Sequence, residues 1–321
     1  MDGQDDGGDL LKRLKRAQGE DAQALAELVE RAGRRFPDKR KGVRAEALRR
    51  AFSRAAELAQ ALDWRGSVTL RGGRVIVDVG GVPFHGDNDE RFFHGGGGSP
   101  AKRLLKTLDE RGIVLHTVFD VGANIGELSL YIASRRPNAR VIAFEPAPEN
   151  LLAFEENRAL HVPPLANLRL IREAVSDRSG EIEIIVGAHA LNTVMIEANL
   201  ERIETRGEVE RVMVPTDTLE GYCRRLGVGK IDFLKVDIEG AEPLLADSVA
   251  AMPGRIGSAL VEISPFNSVE AYLRLVKAFE AAGLVMADDA LRPIGDPWAW
   301  ISRSMAAGAA PNVWFLPPAT R

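Results

Sequence analysis

Ten residues, Val118-Phe-Asp-Val-Gly-Ala-Asn-Ile-Gly-Glu127, limit the fold more than any other stretch of the chain. They read as a short apolar strand, a turn bounded by glycines and the first turn of a helix. The strand shows no polar alternation, so both of its faces are expected to be covered, as in a parallel sheet. The same texture repeats afterwards. Arg140-Val-Ile-Ala-Phe-Glu145 is a second strand, with a helix from Pro148 to Ala159, and Leu168 to Val175 reads as a third strand. Glu181 to Val186 and Arg211 to Val214 are further strands, and Asp217 to Leu226 is a helix. Ile231 to Asp237 is a buried strand followed by a helix from Ala241; Ser258 to Ile263 is a strand and Val269 to Ala282 a helix. Leu284 to Met286 and Val313 to Leu316 close the series. Strands alternating with helices of this length predict an α/β fold, with a mostly parallel sheet covered on both faces.

Before this region the texture differs. Residues 1–9 carry a charge of −4, residues 10–60 carry +7, and the rest carries −7 within a total of −4. The reading is an acidic disordered tail over 1–9, a helical segment over 10–66 and the main domain over 67–321. The helical segment has stripes at Leu10, Leu11 and Leu14, at Leu25, Leu28 and Val29, and at Leu48, Phe52, Ala55 and Leu58, broken by a basic loop around Pro37. Those stripes need burial, on the main domain or on a second copy of the chain as a homo-oligomer. Ser67 to Val79, folded back at Gly72-Gly73, reads as a β-hairpin. Gly95 to Gly98 is a flexible run, and Pro100 opens a helix ending near Gly112.

Charge and cysteine use exclude several classes. With 42 Lys+Arg against 46 Asp+Glu the chain lacks the basic footprint of a nucleic-acid binder. The single cysteine, Cys223, excludes an intramolecular disulfide and any cysteine-cluster metal site. No apolar run reaches the roughly 18–20 residues of a membrane helix, and the acidic first residues are unlike a signal peptide. A soluble, reduced, cytoplasmic protein is expected.

The strand-to-helix turns carry the chemistry. Glycine at Gly122 and Gly126 would let a ligand approach the backbone, and the helix start offers free N–H groups. In an open α/β sheet this crevice is where ligands bind. The glycine spacing is not that of a dinucleotide site, and Asp120 would repel a pyrophosphate while suiting a cationic amino group. Glu145, at the end of the second strand, suits the paired hydroxyls of a ribose. An ammonium at one end and a ribose at the other describe S-adenosylmethionine; a plain tight turn and a nicotinamide site are the competing readings. Ala174 and Val175 are candidates to pack on the adenine, with Ser176 or Asp177 at its exocyclic amine, or else form an ordinary strand exit.

A second cluster is Lys230-Ile-Asp-Phe-Leu-Lys-Val-Asp-Ile-Glu-Gly-Ala-Glu242. Asp232, Lys235, Asp237, Glu239 and Glu242 are threaded through an apolar strand, and buried charge needs partners or a ligand. Asp237 and Glu239 fall at its carboxyl end beside the crevice, and Glu262 reaches a corresponding height on the following strand. Asp237 with Glu262 offers a hard cation only a weak site, so no metal is assigned. A structural ion-pair network is the alternative reading of the cluster.

Phe119 to Gly126, Ala143-Phe-Glu-Pro146, Ala174 to Asp177, Ile231 to Glu242 and Leu260-Val-Glu-Ile263 resemble, in order and spacing, the FkbM family of S-adenosylmethionine-dependent methyltransferases. The resemblance spans about residues 67–317. It implies a class I methyltransferase (Rossmann-like) sheet of seven strands, with residues 10–66 as an N-terminal helical extension. It implies methyl transfer, most often to a hydroxyl of a sugar, glycan or natural-product intermediate. By the same resemblance Asp120, Gly122, Ala123, Asn124 and Gly126 cradle the methionine part of the cofactor, Glu145 and Pro146 adjoin the ribose, and Asp237, Glu239 and Lys235 border the acceptor. Residues 1–66 have no counterpart in these motifs, and Pro243 stands where the family has a helix-favouring residue.

A hydroxyl acceptor needs a general base, for which Asp237, Glu239, Glu262 and the loop residue His189 are candidates. N-methylation of a small amine and a non-catalytic cofactor-binding scaffold remain as alternatives. The absence of an Asn/Asp-Pro-Pro-Tyr-type segment after Val236 speaks against nucleobase acceptors.

Overall fold

The computed structural model describes residues 68–71, 74–85, 100–186, 193–194 and 210–318. The expected helices of residues 10–66, the Gly95–Gly98 run and His189 lie outside the described residues. The chain divides into two compact units, Met1–Thr107 with Glu156–Pro164, and Leu108–Glu155 with Leu165–Arg321.

In the first unit β1 (Val68–Arg71) and β2 (Arg74–Asp78) form the expected antiparallel hairpin, with Leu70 opposite Val75. A third strand, β3 (Pro83–His85), adds antiparallel to β2 and was not anticipated. Its entry is a tight turn in which the Asp78 carboxylate accepts the Gly81 N–H at 2.6 Å. Val82 and Phe84 are fully buried. Helix α1 (Pro100–Glu110) begins on its proline as expected.

The second unit is built on seven strands. They are β4 (Thr117–Val121), β5 (Arg140–Phe144), β6 (Leu168–Ile171), β11 (Phe233–Val236), β12 (Ala259–Glu262), β13 (Val285–Ala287) and β14 (Asn312–Leu316). Their order is β13-β14-β12-β11-β4-β5-β6, and β14 alone runs against its neighbours. This is the seven-stranded, mostly parallel sheet that the sequence led us to expect. The strands of β4 and β5 are apolar because both faces are covered: Val118, Phe119, Val141 and Ile142 are fully buried. The helices include α2 (Glu127–Arg135), α3 (Pro148–Arg158), α4 (Leu219–Leu226), α5 (Ala246–Ala250), α6 (Val269–Ala281) and α7 (Pro297–Ala306). Aromatic pairs tie the core, with Phe144 between Phe119 at 5.2 Å and Tyr222 at 4.7 Å. Chain order runs outward from β4 to β6 on one side and from β11 to β12 on the other. The switch point between β4 and β11 therefore places the crevice at their carboxyl ends.

Three expectations change. The predicted third strand, Leu168 to Val175, is two strands in two sheets: β6 edges the main sheet, while β7 (Ala174–Ser176) joins a second one of order β7-β10-β8-β9. In that sheet β8 (Gly180–Val186) and β10 (Glu210–Thr218) are antiparallel, β9 (Thr193–Val194) follows β8, and β7 is parallel to β10. The break falls at a charged pair of residues drawn to different helices. Arg172 bridges to Glu155 of α3 at 3.0 Å, and Glu173 takes Arg225 of α4 at 2.6 Å and the Tyr222 hydroxyl at 3.0 Å. Second, the expected helix at Ala241 opens as a 3₁₀ turn, Glu242–Leu245, before α5; Pro243 lacks an N–H and is accepted in that first turn. Third, helix α7 was not anticipated, although Asp296 caps it on the Ala299 N–H at 3.0 Å and Pro297 opens it.

Asp232 belongs to the fold. One carboxylate oxygen accepts the N–H groups of His116 and Thr117, at 3.0 and 2.9 Å, where β4 begins. Asp232→Ala is expected to lower stability by about 1–3 kcal/mol by leaving those donors unpaired. Urea denaturation measures the loss, and calorimetric titration should show S-adenosylmethionine affinity unchanged.

Candidate active site

At the carboxyl end of β4, Asp120 is fully buried. Its Oδ2 accepts the Ser129 hydroxyl of α2 at 2.6 Å, while Oδ1 has no hydrogen bond. The chain then turns through Gly122, φ +80°, Asn124, φ 52°, and Gly126, φ +89°. The N–H groups of Gly122 and Ala123 both bond to the Phe144 carbonyl, at 3.0 and 2.9 Å, which locks the turn onto β5.

The two glycines serve the protein itself. A Cβ on Gly122 would lie 1.8 Å from the Asp237 carbonyl oxygen, and one on Gly126 would lie 2.8 Å from the Phe154 ring. The turn after β4 therefore abuts the turn after β11, and helix α2 starts close against α3. The sequence signal read as room for a ligand is, at both positions, room for a neighbouring segment.

Glu145 ends β5 and turns back to the same loop. Its Oε2 accepts the Asn124 N–H at 2.8 Å, and Oε1 accepts the Ala147 N–H at 2.9 Å and the Asn150 amide at 3.2 Å. Burial raises its pKa above the ordinary carboxylate value, although those donors and Lys235 pull the other way. Pro146 beside it is half-buried.

Lys235 joins the two turns. From the middle of β11 its ammonium donates to the Gly122 carbonyl at 2.9 Å and lies 3.2 Å from Asp237 and 3.6 Å from Asp120 Oδ1. Burial works to lower its pKa, but Asp237, Asp120 and Glu262 outweigh it and hold the lysine charged, above its ordinary value. Asp237, Glu239 and Glu262 converge beyond it, one carboxylate oxygen from each lying within 4.8 Å of the others. All three are half-buried. Burial, then the charges of Asp237, Glu239 and Glu242, push Glu262 up to about 9, against the pull of Lys235. Glu262 Oε2 is buried without a hydrogen bond. Such a cluster can retain a proton, accept hydrogen bonds from several hydroxyls, or offer oxygens to a hard cation.

The structure thus brings Asp120, Gly122, Ala123, Asn124, Glu145, Lys235, Asp237, Glu239 and Glu262 to one end of the sheet. Ala174 and Val175, read as candidates to pack on the adenine or as an ordinary strand exit, lie within the protein's own core. Both are buried, Ala174 among Ala147, Ile182 and Val214, and Val175 in the main core with Phe144 and Tyr222. Ser176 is spent on Thr216 at 2.8 Å. The sequence reading placed Glu242 in the cluster but gave it no role. It is fully buried and lies at the centre of the turn that carries Asp237 and Glu239.

The residues fit a cofactor with a cationic amino group and a ribose. The Asp120 Oδ1 is buried and accepts no hydrogen bond, facing the Lys235 ammonium at 3.6 Å, and a carboxylate with about four lone-pair positions leaves Glu145 one beyond its three present donors. Residues 120–245 match the family described as methyltransferase FkbM domain. The chain is similar to the 2-O-methyltransferase NoeI of Sinorhizobium fredii, 26% identical over 141 residues, covering 39% of this chain and 54% of that protein. It is similar to methyltransferase sdnD of Sordaria araneosa, 31% identical over 148 residues, covering 39% of this chain and 57% of that one. The match thus spans a little over half of each of these relatives. The crystal structure of methyltransferase FkbM from Methylobacillus flagellatus aligns over 92% of this chain and 59% of that one, at 12% identity and a TM-score of 0.40.

The raised pKa of Glu262 has a measurable consequence. The unfolded chain releases this proton near 4.5 and the folded chain near 9, so the folded state loses stability as pH rises between those values. Melting temperatures of the wild type and Glu262→Gln, followed from pH 6 to 9, should diverge in favour of the variant as pH rises. Parallel curves would contradict the crowding of the three acids.

Proposed function

We propose that the chain, whose residues 120–245 match the family described as methyltransferase FkbM domain, uses S-adenosylmethionine to methylate a hydroxyl oxygen of a sugar, glycan or natural-product intermediate. The observation that carries the reading is the convergence of Asp237, Glu239 and Glu262 beside Lys235, at the sheet end where the β4 turn lies. That the similar protein NoeI is a 2-O-methyltransferase is in keeping with it.

S-adenosylmethionine supplies an electrophilic methyl group on a sulfonium sulfur. What remains for the protein is alignment and removal of one proton. In the proposed site Asp120 meets the amino group of the methionine part, Glu145 meets the ribose hydroxyls, and the turn from Gly122 to Gly126, with Ala123 and Pro146 on its flanks, shapes the space between. Asp237 accepts the proton of the acceptor hydroxyl as the oxygen forms its bond to carbon. Lys235, paired with Asp237, holds that carboxylate in place. Glu239 and Glu262 accept hydrogen bonds from neighbouring hydroxyls, which suits a polyhydroxylated acceptor. The products are the methyl ether and S-adenosylhomocysteine. Ala174 and Val175 act beneath the adenine region, through the packing of β7.

Calorimetric titration tests the cofactor half. Asp120→Ala and Glu145→Ala are each expected to weaken S-adenosylmethionine binding roughly ten- to hundred-fold, the worth of a hydrogen bond to a charged group. Unaltered affinity in both would remove them from the site. The acceptor half is tested by S-adenosylhomocysteine release with a panel of hydroxylated acceptors. There Asp237→Ala should lose turnover by about a hundredfold or more while binding the cofactor normally. Equal turnover would exclude Asp237 as the base.

A further inference from the structure

The three carboxylates lie on two separate chain segments, and their spacing has to be set by something. Asp237 and Glu239 ride on the turn after β11, in which Glu239 has φ 56° and Gly240 φ 100°. A non-glycine residue in the left-handed region persists only where its surroundings hold it. Glu262 sits at the end of β12, two residues before Ser264.

Glu242 and Tyr272 connect these segments. Glu242 folds back into its own turn: Oε1 accepts the Ile238 N–H at 2.8 Å and the Gly240 N–H at 3.2 Å, and Oε2 lies 3.1 Å from the Gly240 N–H. The same Oε2 accepts the Tyr272 hydroxyl at 2.6 Å. That hydroxyl in turn accepts the Ser264 N–H at 2.8 Å, just beyond β12. Both side chains are fully buried. Tyr272 stands one turn into α6, whose start is fixed by Ser268 capping the Ala271 N–H at 3.1 Å. Next to Ser268, Asn267 donates to the Gly240 carbonyl at 2.8 Å. One phenol oxygen thus receives the exit of one strand and holds the turn of the other. Packing alone asks only for a phenyl ring at this position; a buried hydroxyl with two partners has a further use.

We propose that Tyr272 and Glu242 are positioning residues for methyl transfer, setting the distance between Asp237 and Glu239 on one side and Glu262 on the other. The inference rests on the reading in which those carboxylates meet the acceptor hydroxyl. Neither residue touches the acceptor. They act through the turn and strand end they tie together. Burial favours a neutral Glu242, raised to about 7, against the pull of Tyr272 and the backbone N–H groups, so this carboxyl is costly to keep where it is.

Tyr272→Phe keeps the ring and removes only the bridge. With an acceptor turned over by the wild type, kcat is expected to fall about ten- to hundred-fold, the effect of a small misplacement of reacting groups. KM for S-adenosylmethionine and the calorimetric affinity for S-adenosylhomocysteine should stay within about two-fold, since the β4 turn and Glu145 are untouched. Glu242→Gln, which keeps an oxygen for the two N–H groups, should retain more turnover than Glu242→Ala. A loss confined to stability, with kcat unchanged in folded Tyr272→Phe, would overturn the inference while leaving the function standing. A wild type that methylates no hydroxyl would overturn the functional reading instead. The crystal structure of Tyr272→Phe then still decides the positioning role: the proposal expects Glu262 to move apart from Asp237 and Glu239, and an unchanged cluster refutes it.

Discussion

A lysine ammonium held between two carboxylates, where the two central strands of the sheet end, fixes the local structure on which the candidate site depends. Lys235 of β11 reaches Asp120 of neighbouring β4, Asp237 of its own strand end and the Gly122 carbonyl of the intervening turn. A buried charge of this kind is costly unless its partners are in place. Each partner is in place because of backbone constraints: Gly122 lets the β4 turn lie against the Asp237 carbonyl, and the Phe144 carbonyl receives the Gly122 and Ala123 N–H groups. The ammonium therefore connects the turn after β4, at Asp120, to the carboxylate cluster, at Asp237.

Electrostatic crowding follows from the same arrangement. One lysine faces four acids, and the balance leaves Glu262 holding its proton well above the usual carboxylate range. Glu145 and Glu242 are raised as well, both chiefly by burial. A sheet end with this many reluctant acids is poorly optimised for stability, which is the common condition of a site kept for chemistry. Glu242 is occupied by backbone N–H groups and a phenol, so it shapes the turn, while the half-buried Asp237, Glu239 and Glu262 converge beside it.

Much of this was legible in the sequence, and the parts that were not have physical reasons. The runs Val118–Val121 and Val141–Phe144 read directly as strands because a strand buried on both faces shows no polar alternation, with Asp120 the one ionisable residue in them. The grouping of Lys235, Asp237 and Glu239 was visible because charge threaded through an apolar strand needs partners. The split of Leu168–Val175 into two sheets was not visible, since it depends on Arg172 and Glu173 being drawn to residues 17 and 52 positions away. The role of the glycines was also hidden. Gly122 and Gly126 are spent on Asp237 and Phe154, neighbours that sequence distance conceals. The helix at Pro297 was not anticipated, although the Asp296-Pro297 pair that caps and opens it stands in the sequence.

The proposed methyl transfer requires one arrangement that can be seen directly: the cofactor at the turn after β4 with its sulfur toward Asp237. A crystal structure of the protein with S-adenosylhomocysteine tests it. The account predicts the amino group at Asp120, the ribose at Glu145 and the sulfur facing the carboxylates of Asp237, Glu239 and Glu262 beside Lys235. Ligand bound away from the turn after β4, or with its sulfur turned from those carboxylates, would contradict it.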